Sequence, residues 1–280
     1  MKVLKLLSVV IALLFVLSAC EKVAPPYVEK SDHGGGDTSK VLKRVLLEDY
    51  TGHTCVNCPD AAKIAHDLKE LYGNRLVVIA VHSGYFAEPH PGIFENDYRT
   101  EAGNEWTSYF GIQSYPSGIV NRVPSTSGSY VYPKEKWGEL VSAEMQQEEA
   151  DADIKIKNTF SGGALTTEID VEFLNMLEGT YYLEVCITED SIVSAQKNEN
   201  PTIGETPVIY DYVFMHMLRG SVNGTWGENI FGEPVQTGKT YSKSYQYTIT
   251  GKPEHSHVVA FIYNYETKSV VQVAEAAVMK

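Results

Sequence analysis

Thr51-Gly52-His53-Thr54-Cys55-Val56-Asn57-Cys58-Pro59 decides how this 280-residue chain is read. An apolar, strand-like run at residues 45–50 leads into it. A segment with Ala61, Ile64, Ala65, Leu68 and Leu71 on one stripe at helical spacing leads out. Pro59 suits the first helical turn, where a missing N–H costs nothing, and Gly73-Asn74 predicts the stop. Two cysteines at this spacing, on a strand-to-helix junction, can close a small disulfide ring or hold two thiols at one helix N-terminus. The unpaired N–H groups and the helix dipole there stabilise a thiolate. Residues 76–81 form a continuous apolar run of strand length, the kind covered on both faces in a parallel sheet. Strand, helix, strand in this order is a βαβ unit, and CxxC beside one reads as a redox motif.

Toward the amino end, Lys2 and Lys5 precede an apolar stretch at residues 6–16 that is short for a membrane span. Leu17-Ser18-Ala19-Cys20 resembles the lipobox of bacterial lipoproteins. That resemblance implies a signal peptide at 1–19 and a lipid-modified Cys20 that anchors the chain to a membrane; the alternative is an ordinary signal peptide with a chance cysteine. Residues 20–40, with Pro25-Pro26 and Gly34-Gly35-Gly36, read as a flexible tether. The formal charge is -13, and loss of Lys2 and Lys5 with the leader takes it to -15. So acidic a body excludes nucleic acid bound by general electrostatics. The length remaining allows two domains, expected at 41–150 and 151–280.

Tyr109-Phe110-Gly111-Ile112-Gln113-Ser114-Tyr115-Pro116-Ser117-Gly118-Ile119-Val120 adds a second match to the cysteine pair. Together they resemble the thioredoxin superfamily. The resemblance implies an α/β thioredoxin-like domain in which Pro116 is cis and faces the cysteines. Cys55 would then be the attacking thiol and Cys58 the resolving one. Asp49, six positions before Cys55, matches the buried acid that assists proton transfer in that family; its other reading is a solvated or capping aspartate at a strand end. Val56, Asn57 and Tyr115 flank these positions and would shape substrate docking. Thr54 stands where the superfamily carries tryptophan, and Val56-Asn57 departs from its usual pairs, which leaves the redox direction open. His53, His82 and His90 lie near the motif, but no second CxxC or HxxxH accompanies them, so neither a metal nor another cofactor is expected. The aromatic, Pro- and Gly-rich segment at 82–94, followed by a helical stretch to Trp106, is either a lid over the pair or ordinary loop packing. Residues 133–149 carry helical register and would close the domain.

From Asp151 the periodicity turns to alternation, with strands expected at 153–157, 165–173, 181–188, 210–218, 240–248, 257–265 and 269–274. About seven short strands suggest an all-β immunoglobulin-like sandwich. Cys186, inside an apolar run, reads as a buried small hydrophobe. Residues 210–218 read as a core strand, and Trp226, in a Gly/Asn loop, as an exposed aromatic open to a partner. The lipobox, the cysteine segment, Tyr115-Pro116-Ser117-Gly118 and the closing Ala260-Phe261-Ile262-Tyr263-Asn264-Tyr265 together resemble the Omp28-related outer membrane lipoproteins. That family joins a thioredoxin-like part to a β part and implies an outer-membrane address in the cell envelope, facing the periplasm or the surface. Two functions follow as expectations. One is thiol–disulfide exchange on envelope proteins that carry thiols or disulfides. The other is a binding or scaffold lipoprotein whose cysteine pair is a structural staple.

Overall fold

The computed structural model describes residues 40–232 and 234–279; the leader, Cys20 and the tether before Lys40 lie outside the described residues. β1 (Val45–Thr51) is buried along its whole length. It runs parallel to β2 (Leu76–His82), in register from Val45 opposite Leu76 to Thr51 opposite His82. Between them lies α1 (Cys58–Tyr72). Ala61 and Ala65 enter a core with Val45, Leu47 and Val78, and Ile64 and Leu68 pack at its edge. Leu71, placed inward by the stripe, is 71% exposed; Tyr72, a full turn on from Leu68, takes the inward place instead.

α2 (Glu101–Phe110) opens on the Thr100 hydroxyl, which accepts from Gly103 N, and ends at Gly111 in the left-handed region. β3 (Ser117–Val120) then pairs antiparallel with β1. α3 (Trp137–Glu144) covers only part of the helix expected at 133–149. Its first turn is replaced by a tight 3-10 turn after Pro133.

Ten strands follow: β4 (Ala152–Ser161), β5 (Ala164–Phe173), β6 (Tyr181–Glu189), β7 (Ile192–Lys197), β8 (Val208–Phe214), β9 (Met217–Ser221), β10 (Glu228–Phe231), β11 (Thr240–Thr248), β12 (Ser256–Asn264) and β13 (Val270–Ala277). The strand expected at 210–218 is two strands. His216 adopts a left-handed φ of 55° between them, so β8 stays with β7 while β9 joins the large sheet. Tyr210 and Val213 are consequently exposed, and only Phe214, Met217 and Leu218 are buried there.

The principal sheet has the order β13-β12-β6-β9-β2-β1-β3, with β10 also on β6. It therefore crosses the boundary expected near residue 150. The seam is β9, antiparallel to β6 and parallel to β2 through Ala80 and Met217. Lys40–Lys280 form one compact unit by their contacts. One face of the sheet buries Leu46, Tyr50, Val77, Ile79, Phe261 and Val259 under Trp106 and Phe110 of α2. On the opposite face α1 and α3 cover β1 and β2, while the separate sheet β11-β5-β4 covers β6 and β12 through Ile169, Val171, Phe173, Leu183, Val185 and Ile262. The fold is mixed α/β, mostly strand with few helices. Cys186 sits among the α2-side residues with no exposure, and burial pushes its thiol up.

Under α2 lies a buried ion cluster. Arg122 donates through Nη2 and Nε to Glu48 at 2.7 and 3.0 Å and through Nη1 to Glu184 at 3.3 Å, all three side chains fully buried. Rings of Trp106, Phe110, Trp226, Phe261 and Tyr263 surround the guanidinium at 4.8–5.9 Å. Burial pushes Glu184 up to about 8, against the pull of Arg122. Trp226 is thus half-buried and engaged with Arg122 and Lys268, not an open surface aromatic.

Candidate functional site

Cys55 and Cys58 are joined in a disulfide, their Cα atoms 5.4 Å apart, with Cys58 the first residue of α1. Gly52 follows β1 directly, and its missing side chain lets the loop after β2 pack close against the chain there. A Cβ at Gly52 would collide with the carbonyl of Phe86. That same carbonyl accepts from Thr54 N at 3.0 Å and Thr54 Oγ1 at 2.9 Å. The loop after β2 is therefore fastened to the cysteine segment from one side.

The other side is closed from the second half of the chain. Gln196 Nε2 donates to Cys55 O at 2.8 Å and Gly52 O at 3.4 Å. Lys197 N donates to His53 O at 2.9 Å, Glu199 N to Val56 O at 3.2 Å, and Asn200 Nδ2 to Asp60 Oδ1 at 2.8 Å. Four carbonyls of the motif loop and the Asp60 carboxylate thus pair with the β7–β8 hairpin and the strap between its strands. Both cysteines are left 2% exposed, and Val56 and Asn57 are half-buried. Nothing in the motif points to this cover. The signal that could have found it is the polar stretch Gln196 to Pro207, rich in Asn, Gly and Pro, too long for a simple hairpin turn.

Asp49 lies in the middle of β1 opposite Ala80 and Gly118. It is 3% exposed, and its Oδ1 has no hydrogen-bond partner. Burial alone pushes its carboxyl up to about 7. Of the two readings left open by the sequence, the geometry is that of the buried acid. Asp49 and Cys58 line one cavity of about 30 Å3 with Thr51, His82, Gln196 and Tyr212, room for a single water.

The Tyr115–Pro116 bond is cis. Tyr115 is half-buried; its hydroxyl lies 3.2 Å from Ser83 Oγ, and its ring sits 5.8 Å from that of Phe86. Tyr115 therefore buttresses the same loop that holds Thr54. His53 stacks on Phe94 and meets Tyr98 edge-on, and His82 meets Tyr98 and Phe214. Both imidazoles are buried without partners on either nitrogen. Burial lowers His53 and takes His82 down to about 3, so both are neutral aromatic packing at pH 7. The segment at 82–94 contributes Phe86 and Phe94 to the cover, sharing that role with the hairpin.

The family described as outer membrane protein Omp28 matches residues 103–280. Among solved structures, HBP35 of Porphyromonas gingivalis has a TM-score of 0.64 at 16% identity, covering 85% of this chain and 76% of that one. A protein of Agrobacterium tumefaciens has a TM-score of 0.55 at 11% identity, covering 86% of this chain and 97% of that one. At such identities these likenesses bear on the fold alone. A domain of the outer membrane lipoprotein Omp28 from Porphyromonas gingivalis aligns with 46% of this chain and 88% of its own, at 20% identity and a TM-score of 0.31. No curated protein matches the chain. The matched family span begins after both cysteines, so their chemistry rests on their own geometry.

Proposed function

The chain belongs to the Omp28 family of outer membrane proteins, and on that premise we propose that it is a lipoprotein, anchored through Cys20, whose Cys55–Cys58 pair exchanges disulfides with envelope proteins. We read residues 41–150 as a thioredoxin-like unit and 151–280 as an immunoglobulin-like sandwich sharing its sheet. The observation that carries the reading is Asp49. An unpartnered carboxyl buried beside Cys58 costs stability and has no structural return. A proton held there has a chemical use. When a substrate thiolate attacks Cys55 Sγ, the Cys55–Cys58 bond breaks and Cys58 leaves as a thiolate, which the Asp49 proton can neutralise. A second substrate thiol then displaces Cys55, giving an oxidised substrate and a reduced pair. The reverse sequence, with Cys55 attacking and Cys58 resolving, reduces a substrate disulfide. Pro116, Tyr115, Val56 and Asn57 border the approach.

The 2% exposure of Cys55 and its closure by Gln196, Lys197 and Glu199 favour a second reading, a scaffold lipoprotein stapled by this disulfide. The reduction potential of the pair, measured in glutathione buffers with alkylation and mass spectrometry, separates the two. Exchange predicts roughly -270 to -120 mV, and a staple predicts a value below about -300 mV.

A further inference from the structure

Behind the disulfide a second cavity, of about 410 Å3, opens between α1, the β1–β2 pair and β8. It shares Asp49, Ala62, Ala80, Tyr212 and Met215 with the small void beside Cys58. Its volume is within the range of small-molecule sites. Its walls are largely apolar, formed by the buried Ala65, Val78 and Ala80 on one side and by the exposed Met215 and Val213 on the other. Asp49 is the one carboxyl among its lining residues, and that carboxyl is buried with Oδ1 unpartnered. Of the basic side chains in its lining, Lys63 Nζ is bound to Asp67 at 2.7 Å, His216 Nδ1 lies 3.3 Å from Asp190, and His66 is exposed.

These features discriminate between occupants. An anion would place like charge against the ionised Asp49, and Lys63 and His216 already face carboxylates of their own. A neutral hydrocarbon would fill the space and leave Oδ1 without a donor, at the cost of a buried unpaired polar atom. A protonated amine on an apolar body satisfies both, since its N–H donors meet the carboxylate and its hydrocarbon meets the alanines and methionine. We propose that this cavity binds a small apolar amine, held by Asp49 and clasped between α1 and β8. Such a ligand would touch the helix that begins at Cys58 and the hairpin that covers Cys55, and so would hold the cover shut. The site exists whether or not the disulfide exchanges, and its test reads binding alone.

The full chain carrying Cys20→Ser, which removes the acylation site, would be titrated calorimetrically at pH 8 with hexylamine, hexanol and hexanoate. At that pH Asp49, with its value of about 7, is mostly ionised. Hexylamine is expected to bind at least tenfold tighter than hexanol, with hexanoate weakest. In Asp49→Asn the amine should fall to the alcohol's affinity. Ala62→Leu, which fills the cavity from α1, should weaken amine and alcohol together, and it keeps the test open if the Asn variant fails to fold. Equal affinity for the three compounds, preference for hexanoate, no binding of hexylamine, or amine binding indifferent to both substitutions would each overturn the proposal.

Discussion

Asp49 is a buried, unpartnered carboxyl near the disulfide, and its cost depends on pH in a direction that can be worked out. Its folded value of about 7 lies above the ordinary aspartate value of about 3.9. Below pH 4 both folded and unfolded chains hold the proton, and Asp49 carries no penalty. Between pH 4 and 7 the folded chain keeps a proton that the unfolded chain releases, so stability falls as pH rises, by up to about 4 kcal/mol. His82 slopes the other way. Held neutral down to about 3, it adds stability as pH rises from there toward 6.5. The Asp49 contribution is therefore best read as a difference between variants. Asp49→Asn is expected to make the oxidised chain about 2–4 kcal/mol more stable to urea at pH 8, with the gain vanishing near pH 4. A gain equal at both pH values would mean that the carboxyl is not the source. That Asp49 is a buried carboxyl was one of the two readings its offset to Cys55 offered. That it stands unpartnered was not legible, because the absence of a donor depends on which neighbours β2, α1 and β8 bring to it.

At the scale of elements the β7–β8 hairpin governs access to the sulfurs. Gln196 is buried and gives its amide to two carbonyls of the cysteine loop. Gln196→Ala would leave those acceptors unsatisfied, at about 1–3 kcal/mol. Opening should become roughly ten- to a hundredfold more frequent, and reduction of the disulfide by a small phosphine should accelerate in proportion. An unchanged reduction rate with an intact fold would show that reductant reaches Cys55 by another route. The strand–helix–strand unit was readable because its apolar periods are local. The hairpin was not, because 141 residues separate Gln196 from Cys55 and its own strands are only half-buried. Residues 210–218 looked like one strand for a related reason. Their apolar content is continuous, and only the left-handed turn at His216 divides them between two sheets.

For the whole molecule the Glu48–Arg122–Glu184 cluster matters most, since it ties β1 and the end of β3 to β6. Arg122→Met should cost about 3–5 kcal/mol in urea unfolding, because two buried carboxyls lose their shared partner. Arg122→Lys should recover only part of this, lacking the fork that meets Glu48 twice. A loss below about 1 kcal/mol would show that the carboxyls are satisfied without it. No sequence pattern announces the cluster, whose members stand 62 and 74 positions apart. Nor did the change from helical to alternating periodicity at Asp151 reveal that both halves share a sheet. The distance in sequence between the cysteines and their cover also has a consequence in time. In an exported chain an oxidant has free access to the two thiols only until the hairpin docks over them. Whatever redox state the pair holds at that moment is then sealed in, and any later change needs something that lifts the hairpin away.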